Sequence, residues 1–132
     1  MTDRPRIRDY MARDLVTLTP EMEINHAMHI LLERRFSGAP VLDENGWLVG
    51  VLSKKDCLKT ALHAAYWRDW GQTVAVYMSR DVQTLQADMD IVSAAEAFLA
   101  SSFRRFPVMH QGQMVGQISR ADILRALSEQ WG

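Results

Sequence analysis

The chain is written twice, and that duplication constrains its fold more than any other feature. "YMARDLVTLTPEMEI" at residues 10–24 matches "YMSRDVQTLQADMDI" at 77–91, so Tyr10, Arg13 and Thr17 recur as Tyr77, Arg80 and Thr84 at an offset of 67. The offset persists at Phe36 and Phe103 and at Pro40 and Pro107. It becomes 66 at Ser53 and Ser119, after one residue is lost between "PVLDENGWLVG" and "PVMHQGQMVG". Agreement over about fifty residues with one indel inside a turn marks an internal duplication. A unit of roughly 60 residues is too small to be comfortable alone, so the two copies are expected to share a core.

Each copy predicts the same elements. An extended piece at Val16–Leu18, or Gln83–Leu85 in the second copy, precedes a helix. Ile24, Ala27, Met28, Leu31 and Leu32 form one helical stripe, and Ile91, Ala94, Ala95, Phe98 and Leu99 repeat it. Two short strands follow, Ala39–Leu42 and Leu48–Leu52, around "DENG". The second copy has Phe106–Met109 and Met114–Ile118 around "HQGQ". Ser53 and Ser119 then open a closing helix, with Leu58, Ala61, Leu62 and Ala65 as the apolar side of the first. The expected fold is α+β: two β-α-β-β-α repeats, over 7–66 and 74–130, packed face to face with pseudo-two-fold symmetry. "ALHAAYWRDWGQT" reads as the end of the first closing helix, stopped by Gly71, with Trp67 and Trp70 either in the core or at a dimer surface.

Bulk properties exclude more than they assign. At 132 residues, 48% hydrophobic and 23% charged, the chain has the make-up of a soluble globular protein. A formal net charge of -1 supplies no overall pull toward nucleic acid or anionic lipid. The polar opening "MTDRPRIRDYMARD" lacks the apolar core of a signal peptide, and no apolar run approaches a membrane span. Cys57 is the only cysteine, which rules out an intrachain disulfide and fits a reducing, cytoplasmic compartment.

"GVLSKKD" at 50–56 returns as "GQISRAD" at 116–122, so Gly-x-x-Ser-x-x-Asp stands in both copies. Read locally, Ser-x-x-Asp is a helix N-cap with its partner, worth about 1 kcal/mol. Read chemically, the serine and aspartate are hydrogen-bonding groups at a helix start, where free backbone N–H groups favour an anion. The two readings are compatible, since serine can cap while aspartate turns outward.

The tandem "PVLDENGWLVGVLSKKDCL" and "PVMHQGQMVGQISRADIL" resemble the cystathionine-β-synthase (CBS) domain pair, or Bateman module, over about Ile7 to Leu127. The resemblance implies a stand-alone regulatory module without catalysis. Clefts between its repeats would bind an adenosine-containing ligand such as AMP, ADP, ATP or S-adenosylmethionine. It implies that Asp56 and Asp122 grip ribose hydroxyls, with Ser53 and Ser119 donating to ribose or phosphate oxygens. It places Thr17 and Thr84 near the base, Thr17 working with Asp122 and Thr84 with Asp56. The stretch before Pro-Val would line the base and phosphates: Arg34, Arg35, Ser37, Gly38, Ala39 and Pro40 in one copy, Arg104, Arg105, Phe106 and Pro107 in the other. Ser101 and Ser102 stand where the first copy has Arg34 and Arg35. Each half still keeps a guanidinium suited to phosphate, with Lys54, Lys55 and Arg120 adding positive charge. Phe106 replaces Ala39, to stack on a base or to fill the second cleft.

Other features take bland readings. His26 and His29, three apart on the first helix, have no third ligand nearby and read as solvent-facing, so no metal is expected. Cys57, the methionines, Phe36 and Phe103 read as core. No P-loop, metal cluster or nucleophile–base pair points to an enzyme. The implied partners are an adenine nucleotide, a second copy in a homodimer and an unnamed regulated protein. The competing reading is a ligand-free interaction module that dimerises through its closing helices.

Overall fold

The computed structural model describes residues 4–68 and 71–131. It is α+β, with a similar layout in each repeat. Two compact units divide it: a central unit, Val16–Val82, and a terminal unit built from the chain up to Leu15 together with the chain from Gln83 onward. The central unit holds α1 (Ile24–Arg34), β1 (Gly38–Leu42), β2 (Leu48–Ser53), α2 (Lys54–Trp67) and the single turn α3 (Val74–Tyr77). The terminal unit holds a 3-10 turn (Ile7–Asp9), β3 (Leu85–Gln86), α4 (Ile91–Leu99), β4 (Arg105–His110), β5 (Gln113–Ser119) and α5 (Arg120–Gln130). Among the described residues no helix is long and apolar enough to cross a membrane.

The two hairpins explain the indel. Strands β1 and β2 pair antiparallel, and beyond them the Asp43 N–H donates to the Trp47 carbonyl at 2.9 Å, which leaves a three-residue loop where Asp43 Oδ1 accepts the N–H groups of Asn45 and Trp47 at 2.9 Å and Gly46 takes φ 81°. Strands β4 and β5 turn on two residues, Gln111 at φ 52° and Gly112 at φ 80°. Two consecutive positive φ values are the mark of a tight two-residue hairpin. The shorter turn therefore removes one residue without disturbing either strand. On the other edge of each hairpin, Leu18 bridges Val41 in parallel, and β3 pairs in parallel with β4 through Leu85 and Val108. These are the predicted extended pieces, in matching places.

The remaining edge is closed by a segment from the other sequence repeat. In the terminal unit Ala12 exchanges two backbone hydrogen bonds with Gln117 of β5, at 2.8 and 2.9 Å. In the central unit Ser79 does the same with Val51 of β2, both at 2.9 Å. Ile7 and Met11 accordingly lie in the terminal core, and Val74 and Met78 in the central one. A sequence repeat and a compact unit are thus not the same thing. This arrangement accounts for the glycine of the duplicated heptapeptide. A Cβ on Gly50 would stand 2.8 Å from the Ser79 carbonyl oxygen, and one on Gly116 would stand 2.8 Å from that of Ala12. Only glycine lets the incoming strand lie so close.

The helical stripes divide more sharply than their spacing predicts. Ile24, Ala27 and Leu31 are buried, but Leu32 is exposed; Ile91, Ala94 and Phe98 are buried, but Leu99 is exposed. Helix α2 departs from expectation. Its buried face is Cys57, Thr60 and Ala64, whereas Leu58, Leu62 and Ala65 point to solvent. Small side chains let the helix lie close to its sheet, and the Thr60 hydroxyl is satisfied by donating to the Asp56 carbonyl at 2.8 Å. Gly71 does not stop this helix: it ends at Trp67, and Arg68 itself takes the left-handed cap at φ 56°. Trp67 is exposed and not core, while Trp70 lies outside the described residues. Phe103 is also exposed, although its ring leans on Phe106 with centroids 5.5 Å apart. Phe36 is half-buried against the central core.

Candidate functional site

In the central unit the candidate residues converge where β1 begins, β2 ends and α2 starts. Register pairs Gly38 with Ser53 and Ala39 with Leu52. The Lys54 N–H donates to the Ser37 carbonyl at 2.8 Å, and the Leu18 N–H donates to the Pro40 carbonyl at 2.9 Å, which places Thr17 beside the same strand. Ser53 caps α2: its Oγ accepts the Asp56 N–H at 3.0 Å, while Asp56 Oδ2 accepts from both the Ser53 N–H and the Ser53 hydroxyl at 2.9 Å. The capping reading therefore holds. It occupies one carboxylate oxygen only, and Asp56 Oδ1 accepts no hydrogen bond among the described residues. Lys54, Lys55, Arg34 and Arg35 are exposed near this helix start and the end of α1, without an ion pair among the described residues. Arg35 adopts φ 57° as the cap of α1, a conformation that glycine holds more readily.

The terminal unit repeats the geometry with different contacts. Arg105 pairs with Ser119, and the Arg120 N–H donates to the Arg104 carbonyl at 3.2 Å. Thr84 immediately precedes Leu85, the residue that pairs with Val108, and so stands beside β4 as Thr17 stands beside β1. Ser119 Oγ accepts the Asp122 N–H at 3.2 Å, and Asp122 Oδ2 accepts the Ser119 N–H at 2.9 Å. Here the second oxygen is also engaged: Asp122 Oδ1 accepts from Arg125 at 3.2 Å. Arg120 turns back to donate to the Phe103 carbonyl at 3.2 Å, whereas Arg104 and Arg105 are exposed and make no side-chain hydrogen bond among the described residues.

Several candidates turn out to be scaffold. The Phe106 ring is buried, edge-on to Phe98 with centroids 4.8 Å apart, so its side chain fills the core of its own unit and is not free to stack on a base. Ala39, Pro40 and Pro107 are buried as well, which leaves their backbone as the accessible chemistry. His26 and His29 are exposed on α1. Burial, and secondarily the neighbouring Asp56 charge, pushes the Cys57 thiol up to about 11, so at neutral pH it packs as an apolar group.

Sequence reading missed Arg125, Tyr10 and Glu129. Arg125 donates to the Tyr10 carbonyl at 3.3 Å and lies 5.7 Å from the centre of the Tyr10 ring. The Tyr10 hydroxyl in turn donates to Glu129, and that bond is the main reason the phenol is held above its ordinary pKa. The three-residue spacing of Asp122 and Arg125 on a helix was a legible signal for one of these contacts. The other contacts reach back more than a hundred residues along the chain, to Tyr10.

The CBS domain family model matches residues 7–63 and 74–129. The chain belongs to the CBS-domain family. It carries a tandem pair. The pair is 25% identical over 125 residues, 95% of its length, to the uncharacterized protein MJ1225 of Methanocaldococcus jannaschii, and spans 44% of that protein. It is 32% identical over 124 residues, 94% of its length, to the A-adding tRNA nucleotidyltransferase of Aquifex aeolicus, of which it spans 14%. Among solved structures it superposes on CBSX2 of Arabidopsis thaliana, crystallised in complex with AMP. The TM-score is 0.82 at 27% identity, covering 96% of this chain and 98% of that one. The CBS pair is therefore a segment that relatives carry in proteins of very different length.

Proposed function

We propose that this CBS pair is a non-catalytic sensor that binds an adenosine-containing ligand through its duplicated Ser-x-x-Asp stations and thereby alters how it engages a regulated partner. One observation carries the reading. At each strand-to-helix junction a carboxylate is anchored by one oxygen in the capping box, and the other oxygen takes no part in the cap. A carboxylate anchored in this way suits the vicinal hydroxyls of a ribose. Ser53 and Ser119 would add hydroxyl contacts, Thr17 and Thr84 would flank the base, and exposed Arg34, Arg35 and Arg104 would reach phosphate. Backbone groups of Ser37, Gly38, Ala39, Pro40, Arg105, Phe106 and Pro107 would complete the lining. The AMP complex of CBSX2 supports adenosine as the ligand class. The single, buried Cys57 fits a cytoplasmic setting.

Titration calorimetry of the chain against AMP, ADP, ATP, S-adenosylmethionine and NAD tests the proposal. Binding of at least one of them is expected, weakened by Asp56→Ala or Asp122→Ala. Ligand-free protein that takes up none of the five would overturn it. A second reading is favoured by the exposed leucines: Leu32, Leu58 and Leu62 on one unit, Leu99 and Leu124 on the other. These are large apolar side chains on helix faces, as a homodimer surface requires. Sedimentation that shows an obligate dimer whose stability ignores every nucleotide would favour interaction alone over sensing.

A further inference from the structure

The two aspartates are the same residue in the same capping box, yet their free oxygens differ. Asp56 Oδ1 is unengaged among the described residues, whereas Asp122 Oδ1 accepts from Arg125 at 3.2 Å. The Arg125 guanidinium is not a loose surface group. It is shared between Asp122, the Tyr10 carbonyl at 3.3 Å and the Tyr10 ring, and Tyr10 is tied by its hydroxyl to Glu129 on the same helix. The duplication places Lys59, Tyr77 and His63 at the corresponding positions of the central unit. Lysine is a point charge on a flexible stem, without the planar fork that lets arginine hold a carboxylate, a carbonyl and a ring together. None of these three makes the corresponding contact: among the described residues no hydrogen bond, ion pair or cation–ring contact joins Lys59 to Asp56 or Tyr77, or Tyr77 to His63.

Resting on the sensor reading above, we infer that the two ligand stations are unequal. Asp56 is the open station, and Asp122 is held by Arg125, an internal competitor for the same oxygen. A ribose diol approaching Asp56 meets a carboxylate with a vacant oxygen. The same diol approaching Asp122 meets an oxygen that already accepts from a guanidinium, and must share it or displace that group. The Arg125 side chain is 53% exposed and that of Asp122 is 17% exposed, so water weakens their attraction and the penalty is bounded. Exposed pairs of this kind change an equilibrium by at most about fivefold. Arg125 is a specificity-determining residue that acts through Asp122.

AMP serves as the probe, titrated by calorimetry into the full chain and into Asp56→Asn, Asp122→Asn and Arg125→Met variants. Thermal unfolding in parallel confirms that each variant is folded. The wild type is expected to show one tighter and one weaker event. Asp56→Asn removes the tighter event and Asp122→Asn only the weaker. Arg125→Met strengthens the weaker event by up to about fivefold and leaves the tighter one unchanged. Loss of the tighter event in Asp122→Asn, two equal events in the wild type, or no response to Arg125→Met would overturn the inequality and leave the sensor reading standing. Absence of AMP uptake by every protein would overturn the inequality, and absence of uptake of all five ligands would overturn the sensor reading as well.

Discussion

The central and terminal units apply one plan to two different cores, and their differences separate what the fold needs from what it leaves free to vary. Ala39 in one becomes Phe106 in the other, Lys59 becomes Arg125, and a three-residue hairpin loop becomes a two-residue one. The capping boxes, the glycines that admit the incoming strand, and the buried stripe positions recur in both units. What both units keep is therefore what a CBS repeat must do to fold. What they do not share, above all the engagement of the second carboxylate oxygen, is free to tune function.

The largest test of this comparison is the core. Phe106→Ala is expected to cost about 3–5 kcal/mol, because the ring leaves a cavity against Phe98 that its surroundings fill only in part. The mirror change, Ala39→Phe, should cost about 1–3 kcal/mol by overpacking a position that is only 1% exposed. Urea denaturation of both variants measures the pair. If Phe106→Ala were nearly neutral, the two cores would be interchangeable and the contrast would fail.

Next come the glycines. Gly50→Ala and Gly116→Ala each drive a Cβ to 2.8 Å from a backbone oxygen, which unlike the nearby methionine sulfur has no rotamer to escape into. Each is expected to cost about 1–3 kcal/mol in the same assay. Similar costs would show that the two incoming strands are equally tight, and a large difference would rank the units.

Caps follow at about 1 kcal/mol for Ser53→Ala and for Ser119→Ala. Ser53 should cost slightly more, since its hydroxyl also donates to Asp56 Oδ2 at 2.9 Å. Thermal unfolding reads the difference. The last contrast is silent at neutral pH. Cys57 stands where the terminal unit has Ile123, and its thiol is raised from an ordinary value near 9 to about 11. A raised acid is stabilising while it stays protonated. Its contribution is therefore full below about pH 9 and lost as pH rises through about 11. Stability measured from pH 8 to 11 should fall at the alkaline end, and Cys57→Ala should remove that part of the fall.

The α1 and α4 stripes, both hairpins, the turn that absorbs the indel and the two serine caps were legible because each rests on neighbours within a few residues. The buried face of α2 was not. Apolarity favoured Leu58 and Leu62, but helix α2 packs through the smaller Cys57 and Ala64, a choice made by the sheet beneath it. Gly71 looked like the helix stop, yet Arg68 took the left-handed cap. The aspartates were found from their duplication and family likeness, while the guanidinium that distinguishes one from the other was not.

The duplication, the α+β class, the CBS family and the pair of capped helix starts follow from residue order, since repetition and short-range hydrogen bonding need only near neighbours. Tertiary structure alone decided that Ile7–Met11 packs with the second repeat and Val74–Met78 with the first, and that Tyr10 and Glu129 hold Arg125 beside Asp122. The physical reason is reach. A cap closes over three residues, but an edge strand and a shared guanidinium join groups that only the folded chain brings together.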